Sequence, residues 1–252
     1  MSNIFAALWH RETIIYRRQF ITVGLMPMVT GLVFFFMFFL PYKTFLPAGE
    51  LSLIIPALVL DSLLLTLLIT IYETTARFYW ETQRSNGMAS LYEMGRFHRQ
   101  PAFFIAQSFI SLTKSLMHLF VVWAILTFLT EMSFSKINFQ ASAVFVLLGA
   151  LQIIAISKII GLLANHVDSL GKFLYVGLLP IMMISGLFLI KGAPLDNLPE
   201  IAFYLPPYNW MTGLDIAFLH GIIDYGYLLI CLIETTFLLW LSATFFHLDG
   251  DS

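Results

Sequence analysis

The stretch HVDSLGKF, His166 to Phe173, is where the chain comes nearest to a phosphate-cradling loop. Such a loop needs a glycine five residues before its Gly-Lys pair and a Ser or Thr after it, so that backbone N–H groups wrap phosphates and a hydroxyl holds magnesium. His166 stands in the first place and Phe173 in the last, so both ends fail. In MISGLF, Ser185-Gly186 lacks the preceding glycine of a Gly-x-Ser-Gly nucleophile site. The six histidines are scattered and form no His-Glu-x-x-His pair. The chain is therefore not expected to be an enzyme: it offers no catalytic residue, no metal ligand set and no cofactor of its own. Any ATP and magnesium would be held by a separate subunit.

Four ionisable residues do lie inside long apolar runs: Asp61, Lys114, Lys158 and Glu234. A charge at mid-membrane costs about 2.5–3.5 kcal/mol on insertion scales, so such groups turn towards a bundle interior, a cavity or one another. Lys158 is expected near the inner end of its run, snorkelling to headgroups. Asp61, Lys114 and Glu234 have two readings, a polar translocation path or a pair that fixes helix packing. Lys114 and Glu234, both near mid-run, are placed to pair across the third and sixth runs.

The elements that position these charges follow from composition. The chain is 59% hydrophobic and only 11% charged, against about 25% charged for a soluble domain. Runs near 20 apolar residues fit a hydrocarbon core of roughly 30 Å. The fold class expected is an all-α polytopic membrane protein, a single transmembrane domain over 1–252. Its six spans fall at about 20–40, 53–75, 102–130, 140–163, 173–191 and 222–246. The lone Cys231 excludes an internal disulfide. Met1 to Phe20 shows no cleavable-signal pattern, so the first span is expected to stay as an anchor.

The basic residues set the orientation. With the N-terminus inside, the inner segments hold Arg11, Arg17, Arg18, Arg77, Arg84, Arg96, Arg99 and Lys172, and the outer ones hold Lys43, Lys136 and Lys191. That bias places both termini in the cytoplasm. The net charge of −2 points to no nucleic-acid partner. Before the first span, residues 3–18 space Phe5, Leu8, Trp9 and Ile15 for an interfacial helix, with Arg17 and Arg18 facing lipid phosphates. After the fifth, 206–221 follows a Pro-Pro break and is too short to cross, which reads as a re-entrant hairpin. It would close the outer side with Pro206, Pro207, Tyr208, Asn209, Trp210 and Asp215. Between spans two and three, ETQRSNGMASLYEMGRFHRQP is the most polar long stretch, and Asn86-Gly87 breaks it ahead of a short helix at about 87–97.

Three pieces in order resemble the ABC-2 family of permeases, the membrane subunits of ATP-driven exporters. They are LWHRETIIYRRQF before a first span with Pro27, the YETTARFYWETQRSNGMASLYEMGRFHRQP run leading to Lys114, and LPIMMISGLFLIKGAPLDNLPEIAFYLPPYNWMTGLD after span five. Pro206-Pro207 stands where family members commonly carry Asn-Pro. The resemblance implies a dimer of six-span subunits, two identical copies in the simplest case, over two ABC ATPase subunits in a bacterial inner membrane. It makes 87–97 a coupling helix seated in the ATPase, with Arg84, Met88, Leu91, Tyr92, Glu93, Arg96 and Arg99 at the contact. The cargo implied is amphipathic: a lipid, a lipid-linked glycan or a hydrophobic drug. Alternatives are a polysaccharide exporter, an ion-coupled carrier using Asp61, Lys114 and Glu234, and a non-transporting scaffold.

Overall fold

Long runs of Leu, Ile, Phe and Val leave the backbone no water to bond with in an apolar phase, so its N–H and C=O groups must close on themselves as helix. The computed structural model of the chain describes residues 2–84, 101–130, 137–187 and 204–248, and these are helices and short connections. In chain order they are α1 (Ser2–Arg18), α2 (Met26–Phe45), α3 (Ala48–Arg84), α4 (Pro101–Thr130), α5 (Phe139–Leu163), α6 (Val167–Lys172), α7 (Leu179–Ile184), α8 (Pro206–Asp215) and α9 (Tyr225–Leu248). Single π-helical stretches join α1 to α2 (Phe20–Leu25), α6 to α7 (Phe173–Leu178) and α8 to the turn before α9 (Ile216–His220). Among the described residues, six helical segments are long and apolar enough to cross a membrane.

The centre of the bundle is α3, which packs against α2, α4 and α5 and is buried along most of its apolar length. Leu64, Leu67, Leu68 and Ile71 of α3 meet Phe145, Ile153 and Ile154 of α5, and Trp210 and Leu214 of α8 extend the same core. Phe35 of α2 joins Leu58 and Leu63 of α3 and Val122 and Leu126 of α4. The face of α3 towards α2 is small and polar: the hydroxyls of Ser62, Thr66 and Thr70 each donate to the carbonyl one turn back. Satisfied in this way, they present little bulk. Gly31 lies against them so closely that a Cβ there would be 2.1 Å from Thr66 Oγ1, the close approach that small residues allow between membrane helices. By contrast, α2, α6–α7 and α9 leave most of their apolar surface exposed.

Several boundaries differ from the sequence expectation, and each has a local cause. The second span, expected over 53–75, belongs to a helix that runs on to Arg84 because Arg77 and Glu81 pair one turn apart. At ~1.5 Å per residue α3 is about 55 Å long, well beyond a hydrocarbon core. The fifth, expected over 173–191, starts earlier, at Val167, and its helix closes at Ile184. Gly186 then takes a φ of 117°, a conformation that ends a helix and suits glycine. Pro27 and Pro180 sit in the first turn of α2 and α7, directly after the two π-helical stretches. A proline offers no N–H and crowds the carbonyl four residues back, which widens the preceding turn.

Residues 206–215 form a helix too short to span, set between α5 and α9. The Trp210 ring covers Gly149, where a Cβ would lie 2.5 Å from it. At the other end Asn138 caps α5 through Ala141 N–H and reaches Gly221 O with its amide at 3.4 Å.

Candidate functional site

The helix α1 does not present its apolar face outward. Leu8 is buried against Phe78, Tyr79, Ala106 and Ile110 of α3 and α4, while Trp9 and Ile14 remain exposed. One turn on from Leu8, the same face delivers Glu12, which is only 5% exposed. A buried carboxylate needs partners, and Glu12 has two: the Lys114 ammonium of α4 bonds its Oε2, and Arg11 Nη1 donates to its Oε1 at 2.6 Å. The second fork of Arg11 bonds Glu81 of α3. Arg77 Nε donates to Glu81 Oε1 at 2.8 Å, and its Nη1 donates to Gln19 Oε1 at 2.7 Å. The Arg11 guanidinium also lies 4.8 Å over the Phe78 ring. A continuous chain of charge, Lys114–Glu12–Arg11–Glu81–Arg77, thus ties α1 to α3 and α4.

Beside it runs a neutral relay. Thr70 spends its hydroxyl hydrogen on Thr66 O, so the 3.0 Å contact between Thr70 Oγ1 and His118 Nδ1 requires the imidazole to donate from Nδ1. His118 Nε2 is then the acceptor facing the Tyr16 hydroxyl at 3.5 Å. Burial raises the pKa of the Tyr16 phenol above its ordinary value, which keeps it in the donating form. Two cavities flank the network. One of about 200 Å³ is bordered by Tyr16, Lys114 and His118, and one of about 280 Å³ lies between α1, α3 and α6.

A second polar cluster sits towards the other end of the bundle. Asn209 Nδ2 of α8 donates to Glu234 Oε1 of α9 at 2.6 Å, and Gln152 Nε2 of α5 donates to Thr235 Oγ1 at 3.2 Å. Glu234 Oε2 and Gln152 Oε1 are both buried without a partner.

No family model, no curated protein and no solved structure matches the chain. The assignment of a role therefore rests on this geometry and on the sequence resemblance.

Lys114 and Glu234, expected as partners, are not joined. Lys114 is taken by Glu12 and Glu234 by Asn209, because α1 docks on α4 whereas α9 packs on α5 and α8. Asp61 is buried in α3. Lys158 does not snorkel: it is 3% exposed, with its ammonium 4.4 Å over the Phe104 ring and 5.6 Å over that of Tyr79. Pro207, Tyr208, Asn209 and Trp210 are buried inside the bundle, with Pro206 and Asp215 at its margin. Arg84 closes α3, whereas Met88, Leu91, Tyr92, Glu93, Arg96 and Arg99 lie outside the described residues. Glu12, Arg11, His118 and Gln152 had not been singled out. An acid four residues after a buried leucine, in a helix of otherwise amphipathic spacing, is the signal that would have found Glu12. Among the described residues no three His, Cys, Asp or Glu side chains gather as a metal site.

Proposed function

We infer that the chain is the permease subunit of an ABC-2 type exporter, working as a dimer over two ATPase subunits in a bacterial inner membrane, with both termini cytoplasmic. Its cargo is an amphipathic molecule: a lipid, a lipid-linked glycan or a hydrophobic drug. The observation that carries this reading is the ion chain that fastens α1 to α3 and α4. Those are the two helices whose near ends are joined by the basic residues 85–100, so a protein gripping that connection would pull on both, and on α1 with them. A freely sliding interfacial helix would need no buried Glu12. In this reading 87–97 is the coupling helix and 206–221 the re-entrant element at the outer side, lodged between α5 and α9.

Reversing both charges in Arg96→Glu/Arg99→Glu would set acid against whatever acid seats this loop in the ATPase. The expected result is loss of stimulated ATP hydrolysis in the complex by at least about tenfold, since like charges at a contact cost on the order of several kcal/mol. The permease itself should still elute as a monodisperse species. Full ATPase coupling in the doubly reversed variant would remove the basis for placing the contact here.

A further inference from the structure

The 280 Å³ cavity between α1, α3 and α6 has an unevenly satisfied lining. Both arginines that border it are engaged within the protein, Arg11 by Glu12 and Glu81, and Arg77 by Glu81 and Gln19. Glu73, which also faces it, makes no hydrogen bond and no close ion pair among the described residues; it feels only through space the charge of Arg77, one turn on, whose guanidinium is already bonded to Glu81 and Gln19. Glu73 is therefore the least compensated charge of the lining, and it is an acid. Opposite Glu73 the wall is apolar and aromatic, with Leu170, Leu174 and Tyr175, while Tyr72 is held in place by its hydroxyl donating to Leu170 O at 2.7 Å. Beside α1, α3 and α6, the π-helical stretches Phe20–Leu25 and Phe173–Leu178 also border it, through Thr22 and Val23 and through Leu174 and Tyr175. Widened turns of this kind recur at binding sites, and here the prolines that follow fix them in place.

We propose that this cavity binds a single-tailed or lipid amphipath through an ammonium head group, with Glu73 as its counter-charge and the α6 side as its apolar wall. A carboxylate without a hydrogen-bond partner, next to aromatic faces, suits an alkylammonium, which gains both ion pairing and ring contact. An anionic head would meet Glu73, while both bordering guanidiniums are already bonded to carboxylates of the protein. The volume is just under the roughly 300–1,000 Å³ of ligand pockets, enough for a head group and its first carbons. The exposed Tyr175 and Val176 carry the wall out to the surface, where a tail would continue into lipid. This inference goes beyond the exporter reading and does not depend on an ATPase.

Native mass spectrometry of the purified full-length chain, without any ATPase, tests it with three probes: dodecyltrimethylammonium, dodecyl sulfate and dodecyl maltoside. One dodecyltrimethylammonium per chain is expected, with binding weakened about tenfold or more in Glu73→Gln, which keeps the shape but removes the charge. Gly171→Phe supplies an independent check. A Cβ at Gly171, on the cavity border, meets nothing within 4 Å, so a ring there adds bulk at the cavity mouth without breaking the fold. It should abolish the adduct. If phosphatidylethanolamine co-purifies and is displaced by the probe, the site's ammonium comes from the membrane; if none does, it comes from a free amphipath. Both support the site. Equal binding of dodecyl sulfate, or unchanged affinity in both variants, would overturn it.

Discussion

Glu12→Ala destabilises the chain far more than Lys114→Met, and the double variant recovers most of the loss. Both residues are almost fully buried, at 5% and 8% exposure. Removing one partner of a buried ion pair costs about 3–5 kcal/mol, because the other charge is left without compensation, whereas replacing both with apolar groups is often neutral. The asymmetry comes from Arg11. Without Lys114, Glu12 still bonds the Arg11 guanidinium, so Lys114→Met leaves no stranded charge. Without Glu12, the ammonium of Lys114 is left, among the described residues, with the face of the Tyr16 ring, 5.9 Å away. Thermal unfolding of the four proteins in one detergent completes the cycle. Equal losses in the two single variants would show that Arg11 does not share Glu12 as described.

Gly161→Leu should prevent proper packing altogether, at a cost above about 3 kcal/mol. A Cβ at Gly161 would stand 2.4 Å from the carbonyl oxygen of Ala76 and 3.0 Å from its Cα. Those are backbone atoms of the central helix and cannot swing aside as a side chain would. The helices α3 and α5 would have to part, opening the buried cluster that holds Ile71 and Ile154. Gly177→Leu is the matched control: its Cβ meets nothing within 4 Å, so a change within about 0.5 kcal/mol is expected. Monodispersity on size exclusion and the unfolding midpoint report both. A Gly161→Leu protein as stable as its parent would mean that α3 and α5 are not in backbone contact here.

What the amino-acid order disclosed and what it hid have physical reasons. The six spans are legible because burial in lipid demands an unbroken apolar run, and α2 to α5 each contain one. The extension of α3 to Arg84 was readable in principle from Arg77 and Glu81, which are spaced for one helix turn, but the fall in hydropathy masked it. Pairing Lys114 with Glu234 failed because depth in the membrane is a one-dimensional clue. Which helices are neighbours depends on packing around α3: α1 docks on α4, whereas α9 packs on α5 and α8. The fate of α1 was only half visible: its spacing shows a face, but not whether lipid or protein covers it. Glu12 decides for protein, since a carboxylate facing lipid would go unpaired. Lys158 was misjudged because snorkelling assumes an open route to the interface, and Phe104 and Tyr79 close over its ammonium.

In the proposed reading, a separate ATPase that grips residues 85–100 drives this chain. The most direct test is to purify the chain from its native membrane in mild detergent, identify stoichiometric partners by mass spectrometry, and assay ATP hydrolysis on the same sample. A co-purifying subunit with a Walker motif, about one per permease, is expected, and its retention is lost in Arg96→Glu/Arg99→Glu. A stable oligomer of this chain alone, free of ATPase activity and unaffected by that reversal, would contradict it.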